Sequence, residues 1–106
     1  MNNYEHTFIT RQELSEDQIK SLLNKYENII KKNSGKILKT EEWGLRIFAH
    51  SIKNNKKGFY FHIKFEGHGK TIEELEKAEN IDEMLIRYLT VKVKKHDLKT
   101  NYFEKT

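Results

Sequence analysis

The sequence predicts an α+β domain in which a four-stranded antiparallel sheet carries two helices on one face. Three observations lead there. The hydrophobic period switches between two and about 3.6 residues in the order strand, helix, strand, strand, helix, strand. Two capping-box signals mark the helix starts, and Gly- or Asn-containing turns separate the segments. With 106 residues, no cysteine and no proline, and without repeat or linker, the chain has the size of one domain with a modest core.

Tyr4 to Thr10 alternates β-favouring residues and reads as the first strand. Ser15-Glu16-Asp17-Gln18 is a capping box with acids in the first turn, followed by Ile19, Leu22, Leu23, Tyr26, Ile29 and Ile30 at helical spacing. Lys31 and Lys32 complement the dipole of the last turn, and Gly35 suits a left-handed end. From Lys36 to Ile52 the period becomes two. It sets Trp43, Leu45, Ile47 and Ala49 on one face and Arg46, Phe48 and His50 on the other, with Gly44 signalling a bulge.

A loop over Lys53–Gly58 turns the chain into Phe59, Phe61, Ile63 and Phe65, completing a long antiparallel hairpin. This apolar row belongs to the core under the helices, leaving Tyr60, His62 and Lys64 for the open face. After Gly67-His68-Gly69, Thr71-Ile72-Glu73-Glu74 reads as a second capping box opening a short helix with Ile72, Leu75 and Ala78 inward. The last strand runs from about Met84 to Lys94, so residues 1–95 make the domain and residues 96–106 a polar tail. This order is the split βαβ, ferredoxin-like arrangement, whose right-handed crossovers leave one sheet face free for a partner.

The fold hosts enzymes, carriers, sensors and RNA binders, so function rests on residues. Without cysteine, disulfides, thiolate metal sites and thiol nucleophiles are excluded. His6, His50, His62, His68 and His96 show no metal-ligand spacing, the serines lack nucleophile-elbow glycines, and no phosphate-cradling glycine motif occurs. No catalytic residue, metal or cofactor is therefore expected. The apolar runs are too short for a membrane span or secretory signal, which favours the cytoplasm.

The net charge of +4 favours a polyanionic partner. Acids cluster in and after the second helix, from Glu73 to Glu83, as a solvated face. Arg87, Lys92, Lys94, Lys95, His96 and Lys99 gather at and beyond the last strand, where Tyr88, Lys92 and Lys94 share one face and Leu89, Val91 and Val93 the other. An aromatic residue among cations is the footprint a phosphate backbone requires. Lys57-Gly58-Phe59-Tyr60-Phe61 opens like the base-stacking motif of RNA-recognition domains. However, Tyr60, His62 and Lys64 break the motif, and its aromatics are needed in the core.

Several segments in order resemble one known family: Tyr4-Glu5, Gly35-Lys36-Ile37, Glu41-Glu42-Trp43-Gly44-Leu45-Arg46, Ala49, Ile52-Lys53, Lys57-Gly58-Phe59-Tyr60 and Asp82-Glu83-Met84-Leu85-Ile86-Arg87-Tyr88-Leu89. Over residues 2 to about 95 the chain is similar to ribosomal protein six of the bacterial small subunit. The resemblance implies a ferredoxin-like fold, no enzymatic activity, and binding to the central domain of small-subunit (16S) rRNA as a heterodimer with ribosomal protein eighteen. It also implies RNA contact by Arg87 and Lys92, with Lys94 and Lys95 in the same basic stretch and Tyr4 matching a first-strand tyrosine. For the partner protein it implies a surface including Trp43, Arg46, Phe48, His50, Ile52 and Lys53.

Ser51 stands where the family usually carries proline, which frees a backbone donor. The tail is short and not acidic. Lysine outnumbers arginine seventeen to three, giving point charges rather than bidentate forks. The alternative reading is a sheet-mediated protein-binding module with no RNA affinity of its own.

Overall fold

In the computed structural model, which describes residues 1–95, the chain runs through β1 (Asn2–Arg11), α1 (Glu16–Lys32), β2 (Lys36–Ile52), β3 (Asn55–Gly67), α2 (Gly69–Asn80) and β4 (Leu85–Val93). The polar tail assigned to residues 96–106 lies outside the described residues. The strands form one antiparallel sheet in the order β2-β3-β1-β4. Leu22, Tyr26 and Ile30 of α1 and Leu75 of α2 meet Phe8 of β1 and Phe61, Ile63 and Phe65 of β3 in the core. Phe8 stacks on Phe61 with centroids 5.2 Å apart and meets the edge of Tyr26 at 5.4 Å. These rings bury large apolar areas in favoured geometries, so the row Phe59 to Phe65 anchors the sheet to its helices.

Helix α1 starts where its capping box places it. The Ser15 hydroxyl accepts from the Gln18 N–H at 3.2 Å, and the Gln18 side chain accepts from the Ser15 N–H at 2.9 Å. Its end differs from expectation, because Ser34, with φ 64°, takes the left-handed position assigned to Gly35. Gly35 is required for another reason: a Cβ there would lie 2.5 Å from Ile30 Cγ2 and 2.7 Å from the Ile30 carbonyl. Helix α2 is capped three residues before the expected capping box at Thr71. His68 is the N-cap of α2, and the Thr71 hydroxyl accepts from the His68 N–H and donates to the Asn33 carbonyl at 2.7 Å. Thr71 is thus a buried clasp between the end of α1 and the start of α2.

The β2–β3 connection is also tighter than the expected six-residue loop. Lys53 and Asn54 both have positive φ, 48° and 65°, and Ile52 faces Asn55 across a two-residue turn. Two left-handed residues match the twist of a hairpin. Strand β1 stops pairing with β3 at Gly58, so the hairpin beyond it, residues 46–57, projects as an arm without β1 alongside.

Candidate nucleic-acid and partner interfaces

Gly44, with φ 81°, sits at a register shift between Glu42 and Gly44. The bulge inserts an extra residue and overturns the expected partition of β2 faces. Trp43 lands on the same open face as Phe48, not with Leu45 and Ile47. Its indole stacks on His62 at 4.8 Å and lies 6.5 Å from Tyr60, while Phe48 lies 6.1 Å from Tyr60 on the other side. Leu45 and Ile47 pair with Phe59 and Lys57 on the opposite face, where they are exposed. Gly58 makes this possible, since a Cβ there would lie 2.6 Å from the Thr10 carbonyl and 3.0 Å from the Phe48 ring.

Under Trp43 the open face holds a polar network. Glu41, His62 and Lys64 are all buried. The indole N–H donates to Glu41 Oε1 at 3.2 Å, and Lys64 lies 3.5 Å from Glu41 Oε2. His62 Nε2 lies 2.9 Å from Glu5, and its Nδ1 lies 2.7 Å from the Thr7 hydroxyl. Burial pushes the His62 pKa down, against the pull of Glu5. A neutral imidazole fits this setting, donating from Nε2 to Glu5 and accepting from Thr7 at Nδ1. Tyr60, His62 and Lys64 thus occupy the expected face, but two of them support the aromatic cover instead of meeting solvent.

Of the other residues matched to a partner surface, Arg46 and His50 are exposed on the arm and Ile52 is half-buried. Lys53 is exposed in the turn. The Arg46 Nε donates to the Trp43 carbonyl at 3.0 Å, holding the bulge closed.

The basic residues of β4 divide between the two faces of an edge strand. Arg87 pairs with Ile9 on the open face, together with exposed Leu89 and Val91. Lys92 pairs with Tyr4 on the helix-bearing face, and Tyr88 pairs with Phe8 there. Arg87, Lys92, Lys94 and Lys95 are all exposed. Tyr4 is half-buried, stacked on Phe65 at 5.6 Å and packed against the core beside Lys92.

A buried polar cluster escaped the sequence reading. His6 Nδ1 lies 2.6 Å from Thr90 Oγ1 and its Nε2 2.6 Å from Glu79 Oε2. The His6 and Glu79 side chains are 0% exposed. Burial pushes the Glu79 carboxyl up, and His6 pulls it back down. The available signals were weak: His6 shares the inward parity of Phe8, and Glu79 lies one helical turn beyond Leu75. The pair pins α2 onto β1 and β4. Among the described residues, no three His, Asp or Glu side chains come together as a metal site.

The arrangement defines a small ferredoxin-like domain whose distinctive surfaces are an aromatic open face and two sheet edges. A model of the ribosomal protein S6 family matches residues 3–92. The chain is 55% identical over 105 residues to small ribosomal subunit protein bS6 of Pelagibacter ubique, covering 99% of this chain and 87% of that one. It is 39% identical over 94 residues to the bS6 protein of Bartonella bacilliformis, covering 89% and 69%. A crystal structure of 30S ribosomal protein S6 from Thermotoga maritima superposes with a TM-score of 0.83 at 32% identity, covering 87% of each chain. The chain therefore belongs to the bacterial ribosomal protein S6 family, whose members are structural, non-enzymatic components of the cytoplasmic small ribosomal subunit.

Proposed function

We propose that this chain binds the central domain of small-subunit rRNA together with ribosomal protein eighteen, using opposite edges of its sheet for the two partners. The observation that carries the reading is the separation imposed by the strand order β2-β3-β1-β4. Three strand spacings, about 14 Å, lie between β2 and β4. Trp43, Phe48, Arg46, His50 and Ile52 offer an aromatic and apolar surface at one edge, suited to a protein. Arg87, Lys92, Lys94 and Lys95 offer cations at the other, and none of these has a carboxylate within ion-pair distance among the described residues. Free cations on an edge strand repel other strands and attract phosphates.

RNA affinity then comes mainly from the phosphate backbone, and specificity from RNA shape and the second protein. The test is binding to a central-domain RNA fragment with ribosomal protein eighteen at several salt concentrations. Arg87→Ala and Lys92→Ala should each reduce the slope of log affinity against log salt by about one, without loss of folding. Unchanged ternary binding in both variants would refute the assignment of β4 to RNA.

A further inference from the structure

The hairpin arm carries cations and no acid. Residues 43–65 contain no Asp or Glu, although the chain has 16 of them. Within the arm, Arg46, Lys53, Lys56 and Lys57 supply four cations, as many as the net charge of +4. Lys53, Lys56 and Lys57 are exposed and have no carboxylate within ion-pair distance among the described residues. By contrast, Lys25, Lys64 and Lys70 each face an acid.

The tip cations also point in several directions. Lys57 pairs with Ile47, the adjacent Lys56 points to the other face, and Lys53 crowns the turn. Lys53 borders, with Asn80, Arg87 and Tyr88, a polar cleft of about 220 Å³. The two acids of that cleft have partners within the fold. Glu79 is bound to His6, and Asp82 accepts from the Tyr26 hydroxyl at 2.6 Å and from the Met84 N–H at 3.0 Å. Lys53 and Arg87 border this one cleft without an ion pair to either acid, linking the arm tip to β4.

We propose that Lys53, Lys56 and Lys57 contact the RNA backbone, so that the arm tip and Arg87 form one continuous phosphate-binding track. This rests on the RNA-binding reading above and moves Lys53 from the protein-facing set to the RNA-facing one. Apart from half-buried Ile52, the large apolar side chains of the arm, Ile47 and Phe48, lie nearer its base, while the tip offers isolated ammonium groups on both ribbon faces. Such a tip fits a phosphate-lined cleft of folded RNA better than a protein surface, which would require apolar anchors at its centre.

The test uses the full chain with ribosomal protein eighteen and the central-domain RNA. The triple variant Lys53→Ala, Lys56→Ala, Lys57→Ala is compared with a charge-matched control on α1, Lys20→Ala, Lys31→Ala, Lys32→Ala. Between 50 and 200 mM salt, the affinity of the unaltered protein should fall about 20- to 40-fold more than that of the arm variant, the effect of three lost phosphate contacts. The control should follow the unaltered protein, and the heterodimer measured without RNA should be unaffected by the arm changes. Equal salt dependence in the arm variant and the unaltered protein would overturn the proposal. So would a weakened heterodimer with the salt dependence retained, which would return the tip to the protein partner. Failure of the unaltered pair to bind RNA at all would instead refute the broader RNA-binding reading, and the arm proposal with it.

Discussion

Replacing His6 by leucine tests the buried pin between α2 and the sheet. His6 and Glu79 meet at 2.6 Å with both side chains fully buried, and Glu79 Oε1 has no hydrogen-bond partner. Without the imidazole, neither oxygen of this buried carboxylate has a hydrogen-bond partner. Breaking a buried pair in this way costs about 3–5 kcal/mol, a large share of the ~5–15 kcal/mol that stabilises a domain.

The pH dependence follows from the direction of the Glu79 shift. Burial already raises its folded pKa, and loss of His6 removes the main opposing influence. A carboxyl with a raised folded pKa favours the folded state below its unfolded pKa, and that contribution is lost as pH rises through the folded value. The defect of His6→Leu should therefore be smaller at pH 5 than at pH 8. Urea unfolding followed by the fluorescence of Trp43, the single tryptophan, measures both. Glu79→Gln keeps a hydrogen-bonding partner for His6 without a charge, and should stay within about 1 kcal/mol of the unaltered protein. A His6→Leu cost below about 1 kcal/mol, or one independent of pH, would refute the reasoning.

Other perturbations have equally definite outcomes. Gly44→Ala should cost about 1–2 kcal/mol in denaturant unfolding, because φ there is 81°, and should alter the Trp43 emission as the bulge relaxes. Ser15→Ala removes the reciprocal cap of α1 and should cost about 1 kcal/mol in the same assay. Burial acts to raise the Asp82 pKa, but the Tyr26 hydroxyl, the Met84 N–H and Lys25 outweigh it and hold the carboxyl below its usual range. Asp82 therefore stabilises the fold above its unfolded pKa and ceases to do so as pH falls through the folded value. Asp82→Asn should flatten the acid limb of the stability–pH curve.

Element order and core row were legible in the sequence because they rest on period and parity. Phe61, Ile63 and Phe65 fell inward as alternation required, and Ser15 capped α1 where its box stood. What alternation missed were the places where one residue changes its phase. Gly44 signalled a bulge but not its direction, so Trp43 was assigned to the wrong face. In α2 the inward stripe is Thr71, Leu75 and Glu79, with Ile72 and Ala78 only partly buried. Thr71 and Glu79 face inward because each has a polar partner from another element, Asn33 and His6. No local pattern reports a partner 38 or 73 residues away. The basic stretch around β4 was visible as composition, but its division between two faces required the register against β1.

The position of β1 also governs how the molecule assembles. Hairpin β2–β3 can close locally, whereas β1 must join β3 and then β4, with Asn3 meeting Val93 across nearly the whole described chain. Loop-closure entropy is spent before such distant pairings return any stability, which slows folding relative to a helical bundle of equal size. During synthesis, the first strand made leaves the translating ribosome early and acquires its second neighbour only when the last strand follows. A nascent chain stopped before Leu85 would hold a hairpin and two helices against an unsealed sheet. Completion of the fold is thus tied to the synthesis of β4.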